Sequence, residues 1–132
     1  MSSRYAPAWQ EGAARPFLLF SKSDPEHILG EVQFSNIIRG VFQSCSVGYA
    51  VDEALAGQGY MTEALRRGIG WMFREEQLHR VEANIISRNR PSVALVERLG
   101  FEEEGRSRRF LKIAGIWQDH LRFAVLAEDW KG

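Results

Sequence analysis

The sequence has little that would support disulfide or metal chemistry. It contains a single cysteine, Cys45, so no disulfide can form within the chain and no thiolate cluster is available for a metal. The three histidines, at positions 27, 79 and 120, lie far apart and show no ligand spacing. We therefore expect no metal ion. A lone cysteine is also typical of a protein from a reducing cytosol.

An excess of charge of one sign and long apolar runs are also missing. Lys plus Arg and Asp plus Glu each number 17, so the formal net charge is zero. Nothing in that balance draws the whole chain to nucleic acid or to an anionic membrane. No apolar run approaches the roughly 18 residues of a membrane-spanning helix, and residues 1–16 lack the apolar stretch of a signal peptide. We expect a cytoplasmic protein that binds neither a membrane nor, directly, nucleic acid.

The chain does have the material for a core, because 45% of its 132 residues are hydrophobic, and this length suits one domain. A short apolar run predicts a strand over 17–20, partial alternation predicts strands over 28–34 and 45–51, and β-branched residues predict one over 81–86. Two further strands, 101–112 and 117–126, are predicted around Ala114-Gly115. Apolar residues at helical spacing predict a helix over 60–77, and Pro91 and Gly100 bound a second helix over 91–99. Residues 1–16 are expected to be irregular. The predicted order, β-β-β-α-β-α-β-β, is that of a mixed α/β domain.

Several glycines carry structural predictions. Gly68 and Gly70 lie inside the longer helix, where each costs about 1 kcal/mol relative to alanine, so we expect close packing against the sheet in compensation. Gly48 inside strand 45–51 indicates a bulge or a close backbone approach. Ala114-Gly115 is a candidate hairpin turn between the last two strands.

A glycine turn, Gly57-Gln58-Gly59, immediately precedes the longer helix. The free N–H groups and the dipole at a helix N-terminus attract anions, and glycines let a phosphate approach the backbone closely. A P-loop is excluded because no Gly-Lys-Ser/Thr follows. A dinucleotide fingerprint would need a third glycine where Thr62 stands. A plain tight turn and a pyrophosphate site of another kind remain open.

Taken together with this turn, two further segments resemble the GNAT acetyltransferase family: Asn89-Arg90-Pro91-Ser92 and Glu97-Arg98-Leu99-Gly100-Phe101. Within that family the stretches 34–40 and 115–120 and Asp129-Trp130 are similar to the bacterial ribosomal-protein alanine N-acetyltransferases. The resemblance covers about residues 17–130. It implies the GNAT fold, a mixed central sheet with flanking helices, as one domain over residues 1–132.

The sequence departs from the family pattern in two places. Ala54 stands where the glycine motif usually opens with Gln or Arg. The phosphate is held mainly by backbone N–H groups, so we expect this chain still to bind it. The family also has an N-terminal strand and helices, which we expect this chain to lack. The acceptor pocket would then be incomplete, completed by a second subunit, or lost. Apolar surface left uncovered beside strand 17–20 then predicts a homodimer with Phe17, Leu19 or Trp9 near the contact. The alternative is a monomer in which residues 1–16 fold back.

The resemblance implies acetyl-coenzyme A as co-substrate, with its pyrophosphate on the glycine turn and its pantetheine arm along strand 45–51. The expected binding residues are Tyr49, Val51, Gly57, Gln58, Gly59, Tyr60, Met61, Asn89 and Ser92. Backbone N–H groups of Tyr49 to Val51 could polarise the thioester carbonyl. Met61 is also a core residue by its helical spacing. Asn89 could instead cap the second helix, although we favour contact with pantetheine.

Acetyl transfer to an amine needs a donor for the leaving thiolate and a base for the amine. The resemblance implies that Ser92 is this donor, because in the similar subgroup the serine at this position is placed to hydrogen-bond or protonate the coenzyme sulfur. In relatives that use a tyrosine the corresponding position here is Val96, which cannot donate a proton. Ser92 could alternatively satisfy only free N–H groups at the helix start. No side chain stands out as the base; the candidates are Glu82 and Asp119, followed by Glu31, Asn84 and His120.

An α-amine has a pKa near ~8, so about a tenth is neutral at pH 7 and only a modest base is needed. We therefore expect an acetyl-coenzyme-A-dependent N-acetyltransferase that acts on a primary amine. The favoured acceptor is the N-terminal α-amine of a protein, similar to a ribosomal protein. Two alternatives stay open. One is a small-molecule amine acetyltransferase, for a polyamine or an antibiotic, and the other is a coenzyme-A-binding domain without transferase activity.

Overall fold

The computed structural model describes residues 2–5, 14–20, 28–51 and 59–132. Within these ranges the elements are β1 (Ser2–Tyr5), β2 (Arg15–Phe20), β3 (Ile28–Ile38), β4 (Ser44–Val51), α1 (Tyr60–Arg74), β5 (Arg80–Ile86), α2 (Arg90–Arg98), β6 (Glu102–Ile113), β7 (Ile116–Leu126) and a 3-10 turn, Ala127–Asp129. The strands form one mixed sheet in the order β1-β2-β3-β4-β5-β7-β6. The β4–β5 pair is parallel and the other neighbouring pairs are antiparallel.

The predicted mixed α/β order is confirmed from β2 onward, and the predicted hairpin turn is present, with φ of 52° at Ala114 and 81° at Gly115. The expectation that residues 1–16 are irregular is wrong, because Ser2–Tyr5 pairs with β2 and β2 already begins at Arg15. Pro16 lies next to the first residue of β2, opposite Gln33 of β3, and the described β1 residues pair with 17–20. Proline is tolerated best at such a strand start.

The strand predicted to end at Phe34 continues to Ile38. Its register with β4 shifts between Ser35 and Ile38, and Asn36 within that shift has a φ of 52°. Asparagine tolerates this left-handed conformation better than most residues, so the strand passes through an irregularity instead of ending. The apolar alternation stops at this point, which explains the short prediction.

Helix α1 packs its apolar stripe on one face of the sheet. Its buried residues are Met61, Leu65, Gly68, Ile69, Gly70 and Met72. A β-carbon on Gly68 would lie 2.9 Å from Cε2 of the fully buried Phe34, so this glycine lets helix and sheet approach closely, as predicted. Cys45 is buried in the same core, and burial raises the pKa of its thiol to about 12. It is a small apolar residue with no reactive thiolate.

The proposed contact of Phe17 with a second subunit is wrong, because the side chain is 6% exposed. Its ring packs edge-on against Phe34 at 5.6 Å and against Trp71 at 5.9 Å between ring centroids. Strand β3 and helix α1 therefore cover the apolar side of β2. The side chain of Leu19 and the whole of Trp9 lie outside the described residues.

A charged cluster joins β2, the end of β3 and the segment after α1. Arg15 Nε donates to Glu76 Oε2 at 2.7 Å, and Arg39 donates to the carboxylate and the backbone carbonyl of Glu76. Burial opposes ionisation of Glu76, but the bonds from the two arginines hold the pKa of its carboxyl below the usual value. The stabilisation is therefore present at neutral pH and is lost as the pH falls through that lowered pKa.

The sheet opens where β4 and β5 part. Their pairing covers only Ser44 with Arg80, Cys45 with Val81 and Ser46 with Glu82. Beyond these positions β4 continues to Val51 alongside β3, and β5 continues to Ile86 alongside β7. The register between β3 and β4 passes Gly48 without a shift, so the bulge predicted there is wrong. Among the described residues, no helix is long and apolar enough to cross a membrane.

Substituting the two helical glycines should separate close packing from helix propensity. We expect Gly68→Ala to lower the free energy of unfolding, because an overpacking cost of about 1–3 kcal/mol exceeds the helix gain of about 1 kcal/mol. Gly70→Ala should leave it unchanged or raise it, since the nearest atom is the mobile end of Arg74, at 3.2 Å. Urea denaturation measures both. Equal stability of the two variants would contradict the packing role of Gly68.

Candidate active site

One hydrogen bond crosses from β4 to α2 beside the opening. Tyr49 lies in the part of β4 that no longer pairs with β5, and its hydroxyl oxygen is 2.6 Å from Oγ of Ser92 in the first turn of α2. The same phenol oxygen is 3.4 Å from the Ser92 carbonyl oxygen. Burial raises the pKa of Tyr49, and the hydrogen bond with Ser92 offsets this only in part. The phenol is therefore neutral at physiological pH.

The sequence pattern predicts a backbone role for Tyr49, and the role of its side chain emerges only in the structure. The signal was present, because Tyr49 continues the alternation of Cys45 and Val47 on the buried face of β4. What the pattern lacked was the position of α2. Only the folded chain brings Ser92, 43 residues further along, to that phenol.

Asn89 caps α2, with its side-chain oxygen accepting a hydrogen bond from the Ser92 N–H at 3.3 Å. Its carbonyl accepts from Val93 N at 3.1 Å, and Pro91 lies in the first turn, where its missing N–H costs nothing. The cap is therefore provided by Asn89 and not by the hydroxyl of Ser92. The predicted contact of Asn89 with pantetheine stays a prediction.

The N-terminus of α1 has no side-chain cap. Its N-cap, Gly59, has a φ of 82°, and a β-carbon there would meet no atom of the described residues within 4 Å. The N–H groups of the first helical turn have no intrahelical acceptor, and the helix dipole adds positive potential at this end. Met61 is buried in the core, so its backbone and not its side chain is available here. The arrangement suits an anion.

Helix α2 closes one side of this end of α1, because Arg98 donates to Oγ1 of Thr62 at 3.3 Å. Tyr60 is half-buried beside the core. Gly57, Gln58 and the side chain of Val51 lie outside the described residues, so their assignment to the binding site stays a prediction. No group of three or more His, Cys, Asp or Glu within the described ranges could hold a metal ion.

The face of the sheet opposite α1 carries a groove of about 340 Å³. It is lined by Glu31, Gln33, Ser35, Gly48, Tyr49 and Ala50. Side chains alternate along a strand, so these β3 residues face away from the Val32 and Phe34 core. The small residues on β4 leave room there. Glu31 is exposed, and no ion pair joins it to another described residue.

The other candidate bases are engaged in structural contacts. Glu82 accepts from Arg80 at 3.3 Å. Asp119 accepts from the backbone N–H of Arg109 at 2.9 Å, where Arg109 has a φ of 46°. His120 is 2% exposed, and its ring packs edge-on against that of Phe110, with 5.6 Å between the ring centroids. Among the candidates, Glu31 is the carboxylate that faces the groove without a neutralising cation in the part of the chain that the structure describes.

The sheet with one parted parallel pair, flanked by helices that begin beside the opening, has the GNAT fold predicted from the sequence. Residues 1–102 match the acetyltransferase (GNAT) domain family, and the chain belongs to that family. It is 40% identical over 121 residues to the [ribosomal protein uS5]-alanine N-acetyltransferase of Escherichia coli (strain K12). That match covers 92% of this chain and 62% of the relative, so the chain spans about six-tenths of the curated relative's length.

Two solved structures are close in fold. The ribosomal-protein-S5-alanine acetyltransferase from Vibrio fischeri has a TM-score of 0.86 and 37% identity, covering 95% of this chain and 68% of that one. RimJ from Mycobacterium smegmatis, solved in complex with CoA-disulfide, has a TM-score of 0.85 and 35% identity. The second match covers 92% of this chain and 56% of RimJ.

A matched pair of glycines tests the anion site. Gly59 and Gly115 have nearly equal φ values of 82° and 81°, and among the described residues no atom lies within 4 Å of a β-carbon built at either glycine. Alanine should therefore cost similar stability at both. We expect Gly59→Ala to weaken coenzyme A binding about tenfold, because it disturbs the backbone that a phosphate approaches, and Gly115→Ala to leave the affinity within about twofold. Isothermal titration calorimetry measures both. Equal affinities would contradict the site.

Proposed function

We propose that this chain is an N-acetyltransferase domain that moves the acetyl group of acetyl-coenzyme A to a primary amine, best the N-terminal α-amine of a protein. The observation that carries this proposal is the opening between β4 and β5, which lies next to the Tyr49–Ser92 pair. Family membership supports the reaction class. The names of the E. coli and Vibrio relatives, which act on an alanine of a ribosomal protein, support the acceptor class.

The unpaired edge of β4 is the binding surface for the extended part of acetyl-coenzyme A. Beyond Ser46 the backbone groups of β4 that face β5 have no strand partner in the described chain. An extended arm with amide groups can pair with such an edge as an added strand would. The uncapped first turn of α1 then takes the pyrophosphate, since both N–H groups and dipole favour anions there.

In the reaction, the lone pair of a neutral amine attacks the thioester carbonyl carbon, so a C–N bond forms. The C–S bond breaks, and its electron pair leaves with the sulfur. The amine loses a proton and the sulfur gains one, so the products are an amide and free coenzyme A thiol. The Ser92 hydroxyl donates a hydrogen bond to the departing sulfur, and backbone N–H groups of β4 polarise the carbonyl oxygen.

The groove on the opposite face is the acceptor side. The Glu31 carboxylate, which has no ion pair among the described side chains, attracts an ammonium group and accepts its proton directly or through a water. Deprotonating a lysine ε-amine at pH 7 would cost about 4–5 kcal/mol, against little more than 1 kcal/mol for an α-amine. A single exposed carboxylate is a strong enough base for an α-amine but not for a lysine ε-amine. We therefore favour a protein N-terminus over a lysine side chain.

Replacing Ser92 tests the leaving-group role. We expect Ser92→Ala to lower the single-turnover rate of acetyl transfer about tenfold or more, with the Kd for acetyl-coenzyme A changed less than about threefold. A donor to the leaving sulfur acts mainly in the transition state, so its loss appears in the rate. Rapid-quench kinetics and calorimetry separate the two quantities. Weaker binding at an unchanged rate would show that Ser92 only holds the co-substrate.

A screen of acceptors tests the substrate class. Peptides with a free N-terminal alanine should be acetylated faster than N-terminally blocked lysine peptides or spermidine, with one thiol released per acetyl group transferred. Mass spectrometry and thiol titration measure both. Faster transfer to spermidine would establish the small-molecule alternative. Binding of coenzyme A without any transfer would show that the chain is a coenzyme-A-binding domain without transferase activity.

Neutralising Glu31 tests the acceptor groove. We expect Glu31→Gln to reduce kcat/KM for an N-terminal peptide about three- to tenfold, because the attraction of one carboxylate for an ammonium group in a partly exposed groove is modest. The Kd for acetyl-coenzyme A should not change. Glu103→Gln, which removes an exposed carboxylate of β6, is the matched control and should have no effect. Equal kinetics of the two variants would place the acceptor elsewhere.

The homodimer stays a prediction, although Phe17 is excluded as its contact. Large apolar side chains are exposed at the far end of the β6–β7 hairpin, where Ile116 is 62% and Trp117 57% exposed, and they support an association surface there. Sedimentation equilibrium tests it. A mass near the 15.1 kDa of one chain over the whole accessible concentration range would contradict it.

A further inference from the structure

We propose that Tyr49 is a positioning residue for Ser92: its phenol O–H donates to Ser92 Oγ and so directs the serine hydrogen toward the leaving sulfur. This inference rests on the proposed function. It assigns a role to the Tyr49 side chain that is separate from the backbone contacts of β4. No proton has to leave Tyr49 in the reaction, so the role is one of geometry and hydrogen-bond strength.

The distances decide the direction of the hydrogen bond. Each hydroxyl has one hydrogen and two acceptor lone pairs. If Ser92 donated, the phenol hydrogen would be left with the Ser92 carbonyl oxygen, which at 3.4 Å is beyond the usual 2.5–3.0 Å of an O–H···O bond. If Tyr49 donates, it uses its hydrogen in the short 2.6 Å contact and the Ser92 hydrogen stays available to a ligand. The phenol is also the more acidic of the two donors.

The Ser92 hydroxyl is not used to cap α2 and can donate a hydrogen bond to a ligand. Its N–H is taken by the Asn89 cap, which fixes the first turn of α2. One helical turn further, Val96 is fully buried and offers no polar group. The remaining freedom of Ser92 is the rotation of its side chain, and the contact with Tyr49 restricts it. A hydroxyl that accepts one hydrogen bond also donates a stronger one.

Burial makes the phenol a dependable donor. It raises the pKa of Tyr49 above the ordinary value, so the hydrogen remains on the phenol through the neutral range in which an α-amine is partly deprotonated. The side chain is half-buried and comes from a strand that antiparallel pairing with β3 holds up to Val51. Its oxygen is thus held by the sheet and not by the mobile ligand.

A double-mutant cycle on single-turnover rates tests the inference. Tyr49→Phe keeps the ring and removes only the hydroxyl. We expect a loss of about tenfold, equivalent to about 1.4 kcal/mol, with the Kd for acetyl-coenzyme A within about twofold. The Tyr49→Phe/Ser92→Ala double variant should be no slower than Ser92→Ala alone, because Tyr49 acts through Ser92. Tyr5→Phe, the same chemical change on β1, should leave the rate unchanged.

Rate losses that multiply in the double variant would overturn the inference, as would a loss in Tyr49→Phe that appears only as weaker binding of acetyl-coenzyme A. A purely structural role predicts the first of these results, since a loosened β4 would slow both backgrounds equally. Transfer by wild type to none of the acceptors would instead overturn the proposed function, and with it the catalytic part of this inference.

A measurement without turnover tests the hydrogen bond itself. The chain has three tyrosines, so ¹³C labelling at Cζ gives few NMR signals, and the Tyr49 signal is the one absent from Tyr49→Phe. The titration midpoint of that signal should rise in Ser92→Ala. Once the phenol has lost its proton, the neighbouring Ser92 hydroxyl turns to donate to the phenolate oxygen, and this stabilisation of the ionised form lowers the phenol pKa. A midpoint that does not move would show that the two hydroxyls are not bonded in solution, and the inference would fail whatever the wild-type activity.

Discussion

The early end of the β4–β5 pairing is the constraint on which the site depends. Each strand is held along its length by an antiparallel neighbour, β4 by β3 and β5 by β7, while the parallel contact between them lasts from Ser44 to Ser46. Beyond it, two rows of backbone N–H and C=O groups face each other without pairing. Such groups are costly when buried and unsatisfied. The opening is therefore best occupied by something with its own amide groups.

The two helices use their N-termini differently, and the difference follows from their first residues. A side chain satisfies one N–H group of α2, because Asn89 provides a cap, and the helix presents a hydroxyl at the opening. Helix α1 begins after Gly59, which has no side chain to fold back, and no side chain caps its first turn. The N–H groups of that turn have no intrahelical acceptor. One helix start is thus suited to an anion and the other to a leaving group.

The sequence was sufficient for the elements whose patterns are local. The helical spacing of α1, the Pro91 and Gly100 signals of α2 and the turn of the last hairpin are all readable within a few residues. Strand β1 was missed because its four residues have no apolar alternation and gain their order from pairing with β2. The end of β3 was missed because Asn36 interrupts the pattern but not the ladder.

The candidate site divides in the same way between residues that local patterns reveal and contacts that depend on the fold. Ser92 and the glycine turn could be assigned from short motifs, whereas the partner of Ser92 required the position of α2 relative to β4. Candidate bases could be named from their chemistry, but not ranked. Their ranking depends on which groups lie nearby. Arg80, which engages Glu82, is two residues away on the same strand, whereas the backbone N–H that engages Asp119 comes from Arg109 on the neighbouring strand β6.

Side-chain alternation in β4 separates the two ends of the proposed reaction. Tyr49 points to the face that carries α1 and α2, where it meets Ser92, while Gly48 and Ala50 border the groove with Glu31 on the other face. A thioester lying along the edge of β4 would therefore have its leaving sulfur near hydroxyls on one side and an incoming amine on the other. The acidic groove and the hydroxyl pair then never compete for the same space. Only at the opening can groups from both faces of the sheet reach the same thioester carbonyl carbon. If β4 and β5 paired along their whole length, the residues on both faces would remain, but the proposed reaction could not take place.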